Sequence, residues 1–349
     1  MPKPFLTIGM ATYDDFYGLF PTIQAIRMYN KSIMSETEFI VIDNNPDSNH
    51  GRDTKAFITN DVRKNGRYIP YTEKKSTSVR NRVFEEARGD FVVCIDPHIM
   101  VVENGWVNLI NFAKNHLGSK DLYQGPLLYD DLDEDASIST HFDLTWRAAM
   151  YGTWQRDPRG VDPNADPFEI QSQGLGLFGC FKDAWLGFNP LFRGFGGEEG
   201  YIHAKYVKAG RKCWCLPFLK WNHRFKDPAG KPYKVTIEDR VYNYCVGWRE
   251  LGRDQGDIMQ HFSQTHPQLK DKLIKIRDQA NADWDGRAQR YSMEELKGMA
   301  DQLTQHMMTM PVDQRNAALL ALRGSNEVLY YIVAGVMTAL RNSSGRGAA

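Results

Sequence analysis

Three residues carry the most pointed chemistry in this chain. Asp96 and His98 stand two positions apart in GDFVVCIDPHIMVVENGW, and His223 lies far downstream in WNHRF. A carboxylate with two imidazoles is a mixed oxygen and nitrogen donor set. It suits Mn²⁺ or a similar borderline divalent ion better than Mg²⁺ or Ca²⁺, which prefer oxygen shells. Three protein ligands would leave positions for two phosphate oxygens and a water. Asp-x-His alone is a weak signal, since His98 serves equally well as a hydrogen-bonded turn residue. The run Phe91-Val92-Val93-Cys94-Ile95 reads as a buried strand, and Pro97 favours an extended residue before it. Asp96 and His98 are therefore expected to face one ligand as alternate residues of an extended strand end.

The elements that would position these residues follow from the apolar pattern. Residues 4 to 11 read as a first strand, Tyr17 to Ser32 as a helix, and Glu38 to Asp43 as a second buried strand. Tyr68 to Tyr71 suggests a short third strand. The segment STSVRNRVFEEARG reads as a helix capped by Ser76 or Ser78 and ended by Gly89, ahead of the fourth strand at 91 to 95. Strands alternating with helices predict an α/β fold with a mostly parallel sheet, whose ligands sit beyond the carboxyl ends of the strands. Asp43 and Asp96 both fall there. No Gly-x-Gly-x-x-Gly follows the first strand, which argues against a dinucleotide site.

A second concentration of signal is RGFGGEEGYIHAKYVKAG. Two glycines let backbone approach a ligand closely, and a following helix N-terminus favours carboxylates, here Glu198 and Glu199. Their simplest role is to cap that helix.

Taken in order, the pieces are Arg80 and Arg82 in one helix, Asp96 and His98, then Gly176-Leu177-Phe178, then Gly196-Gly197-Glu198, then His223. This series resembles the catalytic domain of GT-A glycosyltransferases, and within them looks most like the polypeptide N-acetylgalactosaminyltransferases, over residues 4 to 250. The resemblance implies a GT-A sheet and a UDP-sugar donor bound with Mn²⁺ or a similar ion held by Asp96, His98 and His223. It implies that Lys226 or Arg224 reaches the diphosphate, that Arg80 contacts the nucleotide, that Thr12 and Tyr13 line the base pocket, and that Asp43 hydrogen-bonds the uracil or ribose. It places Glu198 on the sugar and implies transfer with retention and no dedicated base. Phe195 stands where the family has Trp and Glu199 where it has Asn. Should the reaction invert, Glu198 or Glu199 would be the general base. The stretch KDPAGKPYK after His223 would be a lid that excludes water, with Trp221 and Tyr233 packing on the sugar or on the lid.

Bulk properties bound the reading. With 349 residues, 42% apolar and 25% charged, the chain is a soluble globular type, and 43 basic against 43 acidic residues give no net field toward nucleic acid or anionic lipid. No signal peptide or membrane-length apolar run is present, so a cytoplasmic location in a bacterium or phage-infected cell is expected. The five cysteines read as reduced, packed thiols. The acidic run YDDLDEDAS reads as a solvated loop, and Ser292 with Glu295 as a capping box. The expected division is a catalytic domain at 1–250, a helical region at 251–342 and a flexible tail at 343–349. The helical region stands where the family carries its lectin module. It would cover the sheet, bind the acceptor or form a homo-oligomer. The hydroxyl acceptor stays open among protein, glycan, small molecule and a hydroxylated DNA base. A nucleotidyltransferase and a non-catalytic nucleotide-sugar-binding module are the rival readings. The first would want two acidic metal ligands.

Overall fold

The computed structural model describes residues 3–73, 76–129, 138–224, 235–288, 293–325, 330 and 332–337. Its frame is four parallel strands in the order β3 (Gly66–Pro70), β2 (Thr37–Asp43), β1 (Leu6–Thr12) and β4 (Phe91–Ile95). β1, β2 and β4 read as apolar runs without alternation and are buried along nearly their whole length, as strands covered on both faces must be. Helices α1 (Phe16–Tyr29) and α2 (Asn49–Asn60) supply the first crossovers, capped by Asp15 and Ser48, whose side chains accept from Gly18 and Gly51 backbone N–H groups.

The sheet continues past β4 through an antiparallel strand, β12 (Leu177–Phe181). Beyond it lie β6 (Leu122–Gln124), β13 (Cys213–Cys215) and β11 (Phe168–Glu169), making eight strands among the described residues. A second sheet has the order β5 (Ile99–Val101), β14 (Trp221–His223), β7 (Leu127–Leu128) and β8 (Ile138–Ser139). A hairpin of β9 (His141–Arg147) and β10 (Met150–Gln155) stands apart from both. Helices α4 (Gly105–Asn115), α5 (Glu198–Lys208), α6 (Ile237–Leu251) and α7 (Gly256–Thr265) complete this unit, and α8 covers Lys270–Ala288.

Two local expectations need correction. The segment from Ser76 forms a 3-10 turn over Thr77–Arg80 followed by a short helix, α3 (Asn81–Glu86), and neither serine caps it. Ser76 Oγ pairs with Ser78 Oγ at 2.7 Å instead. Gly89 does not end that helix, which stops at Ala87. A side chain at 89 would come within 2.7 Å of the Thr7 backbone, so glycine is there for close packing beneath β1. The second correction concerns the strand end. The chain turns at Pro97 and His98 and enters β5 in the other sheet, so the two candidate ligands do not lie on one extended strand.

The chain divides into two compact units, 1–281 and 282–349. In the first, α6 and α7 pack with the domain they follow. Trp146 of β9 lies against Tyr244 of α6 and Phe262 of α7, with ring centroids 4.9 and 5.5 Å apart. In the second, α9 (Met293–Met308), α10 (Val312–Ser325) and the helical residues 332–337 gather around Ala300, Met307, Val333 and Met337. All five cysteines are buried and free. Among the described residues no helix is long and apolar enough to cross a membrane. The acidic run from Asp130, the segment containing Lys226 and Tyr233, and Ser292 lie outside the described residues.

Candidate active site

β4 delivers Asp96 to the carboxyl edge of the sheet, where its N–H donates to Gly176 O at 2.9 Å and ties the strand end to the Gly-Leu-Phe segment. The turn at Pro97 then sends the chain into β5, which pairs antiparallel with β14 so that His223 stands opposite Ile99. That pairing sets the two imidazoles at 90° with centroids 4.8 Å apart. His223 Nε2 lies 3.5 Å from Asp96 Oδ2. One ligand atom from each of Asp96, His98 and His223 falls within 4.8 Å of the others, and all three residues are half-buried. The donor set matches a borderline divalent ion, so the residues present fit the metal that the motif order implied.

Arg80 completes the cluster. Its Nη2 donates to Asp96 Oδ1 at 3.2 Å, while its Nη1 is buried without a hydrogen-bond partner among the described residues. Burial works against ionisation of Asp96, but Arg80, the His223 hydrogen bond and His98 outweigh it and hold the carboxyl well below its usual range. Arg82, two residues further on and already in α3, instead binds Glu85 and Glu86 at 2.8 and 2.7 Å. The two arginines of the Arg-x-Arg pair therefore divide between site and surface.

The glycine pair Gly196-Gly197 has φ values of 105° and 93°, a left-handed backbone that glycine tolerates, and it leads directly into α5. A side chain at 196 would meet Arg240 Nε at 2.3 Å, so this turn is pressed against α6. Asn243, also of α6 and fully buried, donates to Arg193 O and Gly196 O at 2.7 and 2.8 Å and accepts from Arg193 N–H at 2.7 Å. It is the clamp that fixes the turn. Glu198, the first residue of α5, is fully buried, and neither carboxylate oxygen accepts a hydrogen bond from another described residue. Burial, reinforced by Glu199, raises the Glu198 carboxyl far above its ordinary range, against Arg80 and Arg240, which lower it. Glu199 is half-buried and shifted the same way, again chiefly by burial. Behind it, His203 Nδ1 lies 2.6 Å from Glu199 O and Nε2 lies 2.5 Å from Gln124 Oε1. These contacts tie α5 to β6.

The residues expected at the nucleotide occupy the ends of β1 and β2. Thr12 and Asp43 are paired across the two strands, and Thr12 Oγ1 is buried without a hydrogen-bond partner among the described residues. Asp43 is buried with Oδ1 accepting from Asn45 N–H at 2.9 Å and Oδ2 from Tyr68 OH at 2.7 Å. Burial raises its carboxyl above the ordinary range. Tyr13 is half-buried beside them. Arg224 follows β14, with its N–H on His98 O at 3.3 Å. Trp221, expected at the sugar or the lid, is a core residue. Its indole is buried and donates to Gly125 O at 2.8 Å.

Four residues escaped the sequence reading: Asp15, Arg240, Asn243 and His203. Only Asp15 had a local signal, as an acid immediately before a helical pattern, which marks an N-cap and nothing more.

No protein-family model matches the sequence, and no curated protein matches it. Among solved structures, GalNAc-T7 determined with UDP, GalNAc and Mn²⁺ is similar, with a TM-score of 0.59 and 14% identity over 80% of this chain and 55% of that one. This chain thus spans 55% of that relative's length. S. aureus TarS, residues 1–349, in complex with UDP-GlcNAc, aligns at a TM-score of 0.47 and 12% identity over 97% of this chain and 92% of that one. The fold is the GT-A fold of glycosyltransferases, as the order of motifs implied.

Proposed function

We propose that this protein is a metal-dependent glycosyltransferase that moves a sugar from a UDP-sugar to a hydroxyl acceptor. The observation that carries the reading is the convergence of Asp96, His98 and His223 at the end of β4, with Arg80 bound to Asp96 and within electrostatic reach of both Glu198 and Glu199. Asp96, His98 and His223 would hold a divalent ion such as Mn²⁺, whose bound charge stabilises the diphosphate leaving group. Arg80 and Arg224 add fixed positive charge beside it. Arg80 does so with a guanidinium nitrogen still able to donate. Lys226 is assigned the same task from the motif order. Thr12, Tyr13 and Asp43 line the nucleotide side, and Thr12 Oγ1 and the Asp43 carboxylate offer acceptors for a base or ribose. Glu198 supplies a buried carboxyl group for the hydroxyls of the donor sugar, and its two oxygens, without a hydrogen-bond partner among the other described residues, favour a ligand that pairs with both.

The GalNAc-T7 structure, with UDP, GalNAc and Mn²⁺, supports the donor and metal class. From the order of motifs in the sequence we assign transfer with retention. The acceptor enters from the side of Glu199. The replacement of Asn by an acid there changes the charge the acceptor meets. The test is UDP release from a panel of UDP-sugars with and without Mn²⁺. Release that depends on Mn²⁺ and on one sugar fits the proposal. Metal-independent release, or none with any donor, contradicts it.

A further inference from the structure

We propose that Asp15 is the positioning residue of the metal site, holding the His98 imidazole so that Nε2 is the atom presented to the ion. This rests on the metal-dependent reading above. Asp15 Oδ2 lies 2.6 Å from His98 Nδ1, and Oδ1 lies 3.3 Å from Arg224 Nη2 while accepting the Gly18 N–H at 3.0 Å. Both carboxylate oxygens are thus committed to neighbours. Asp15 is not itself one of the three candidate ligands. A carboxylate on one ring nitrogen fixes the tautomer, orients the ring and makes the other nitrogen a stronger donor.

The placement is built by three separate stretches of chain. Asp15 precedes α1, His98 lies in the turn between β4 and β5, and Arg224 follows β14. An N-cap needs only one carboxylate oxygen, so helix capping alone leaves the contact with His98 unexplained. Gly18 is the second sign that the contact is built in. A side chain there would come within 2.7 and 2.8 Å of the Asp15 oxygens and 2.8 Å of His98 Cβ. Residue 18 has to be bare for the carboxylate to lie between the helix and the imidazole. Gly18 lies in the first turn of α1, and its N–H is the one the Asp15 cap accepts.

The experiment measures Mn²⁺ affinity directly, by paramagnetic resonance of the free ion, in full-length wild type, D15N, G18A and H98A, alongside thermal melting. Asparagine caps a helix as well as aspartate, so D15N should melt near the wild type. D15N should bind Mn²⁺ about ten- to a hundredfold more weakly, the usual cost of losing a carboxylate behind a metal-bound imidazole. G18A should weaken Mn²⁺ in the same direction without removing any ligating group. Wild-type Mn²⁺ affinity in D15N, at whatever melting temperature, overturns the proposal and leaves Asp15 a helix cap. If H98A binds Mn²⁺ as tightly as wild type, the metal reading itself fails, and this inference fails with it. Loss in H98A with none in D15N strikes the inference alone.

Discussion

Replacing Glu198 by glutamine separates its two roles, because the substitution keeps the shape and removes the titratable proton. Glu198 is fully buried, beside Glu199, with no hydrogen bond from another described residue to either oxygen. Its carboxyl is raised above the ordinary glutamate value of 4.5, chiefly by burial. The sign follows directly. Above that value the unfolded chain has lost this proton while the folded one retains it, so the native state loses stability as pH rises toward the folded pKa. One such group contributes a slope of about 1.4 kcal/mol per pH unit. For a unit of this size that is on the order of 2–4 °C of melting temperature per kcal/mol. E198Q lacks this titration. Metal-free E198Q should therefore melt at or above the wild type, with the difference widening between about pH 5 and 7. Its sugar transfer should fall by about two orders of magnitude or more, as expected for a contact made in the transition state. The assay pairs thermal melts across pH with UDP release in the presence of Mn²⁺. A pH-independent difference in melting would refute the electrostatic argument. A clear loss of melting temperature with normal turnover would show that Glu198 is a structural helix-end residue.

Three further outcomes follow from the same geometry. D96N, H98A and H223A should each abolish Mn²⁺-dependent UDP binding measured by calorimetry while leaving the fold intact by circular dichroism, and full metal affinity in H223A would break the three-residue site. N243A removes all three hydrogen bonds that clamp the Gly196-Gly197 turn. It should cost about 2–3 kcal/mol in denaturant unfolding and lower turnover more than Mn²⁺ affinity, because the buried groups of the turn lose their partner. A chain ended after Asn281 should stay soluble and bind UDP and Mn²⁺ normally. One ended after Gly252 loses the buried Ile258 and Phe262 of α7, uncovers Trp146 and Tyr244, and should aggregate, which gel filtration would reveal.

By itself the sequence determined the parallel frame, because strands buried on both faces must be continuous apolar runs, and β1, β2 and β4 are such runs. It also marked where titratable groups gather, since acids at the ends of Val- and Ile-rich stretches and a Gly-Gly-Glu before a helical pattern are local features. It put Asp96 beside His98 by way of an extended strand end, whereas the two come together because the chain turns at Pro97 and His98. Tertiary structure alone decided the rest. The antiparallel register of β14 on β5 brings His223 to His98, and no periodicity within either segment encodes that register. Arg80 and Arg82 look equivalent in sequence, and only the change from a 3-10 turn ending at Arg80 to a short helix beginning at Asn81 sends one to Asp96 and the other to Glu85 and Glu86. Arg240 and Asn243 reach the glycine turn from α6, and Asp15 reaches His98 across the edge of the sheet. The physical reason is range. Burial patterns and caps are set by neighbours along the chain, whereas a site is a set of charges and donors whose distances are fixed only when distant strands and helices pack.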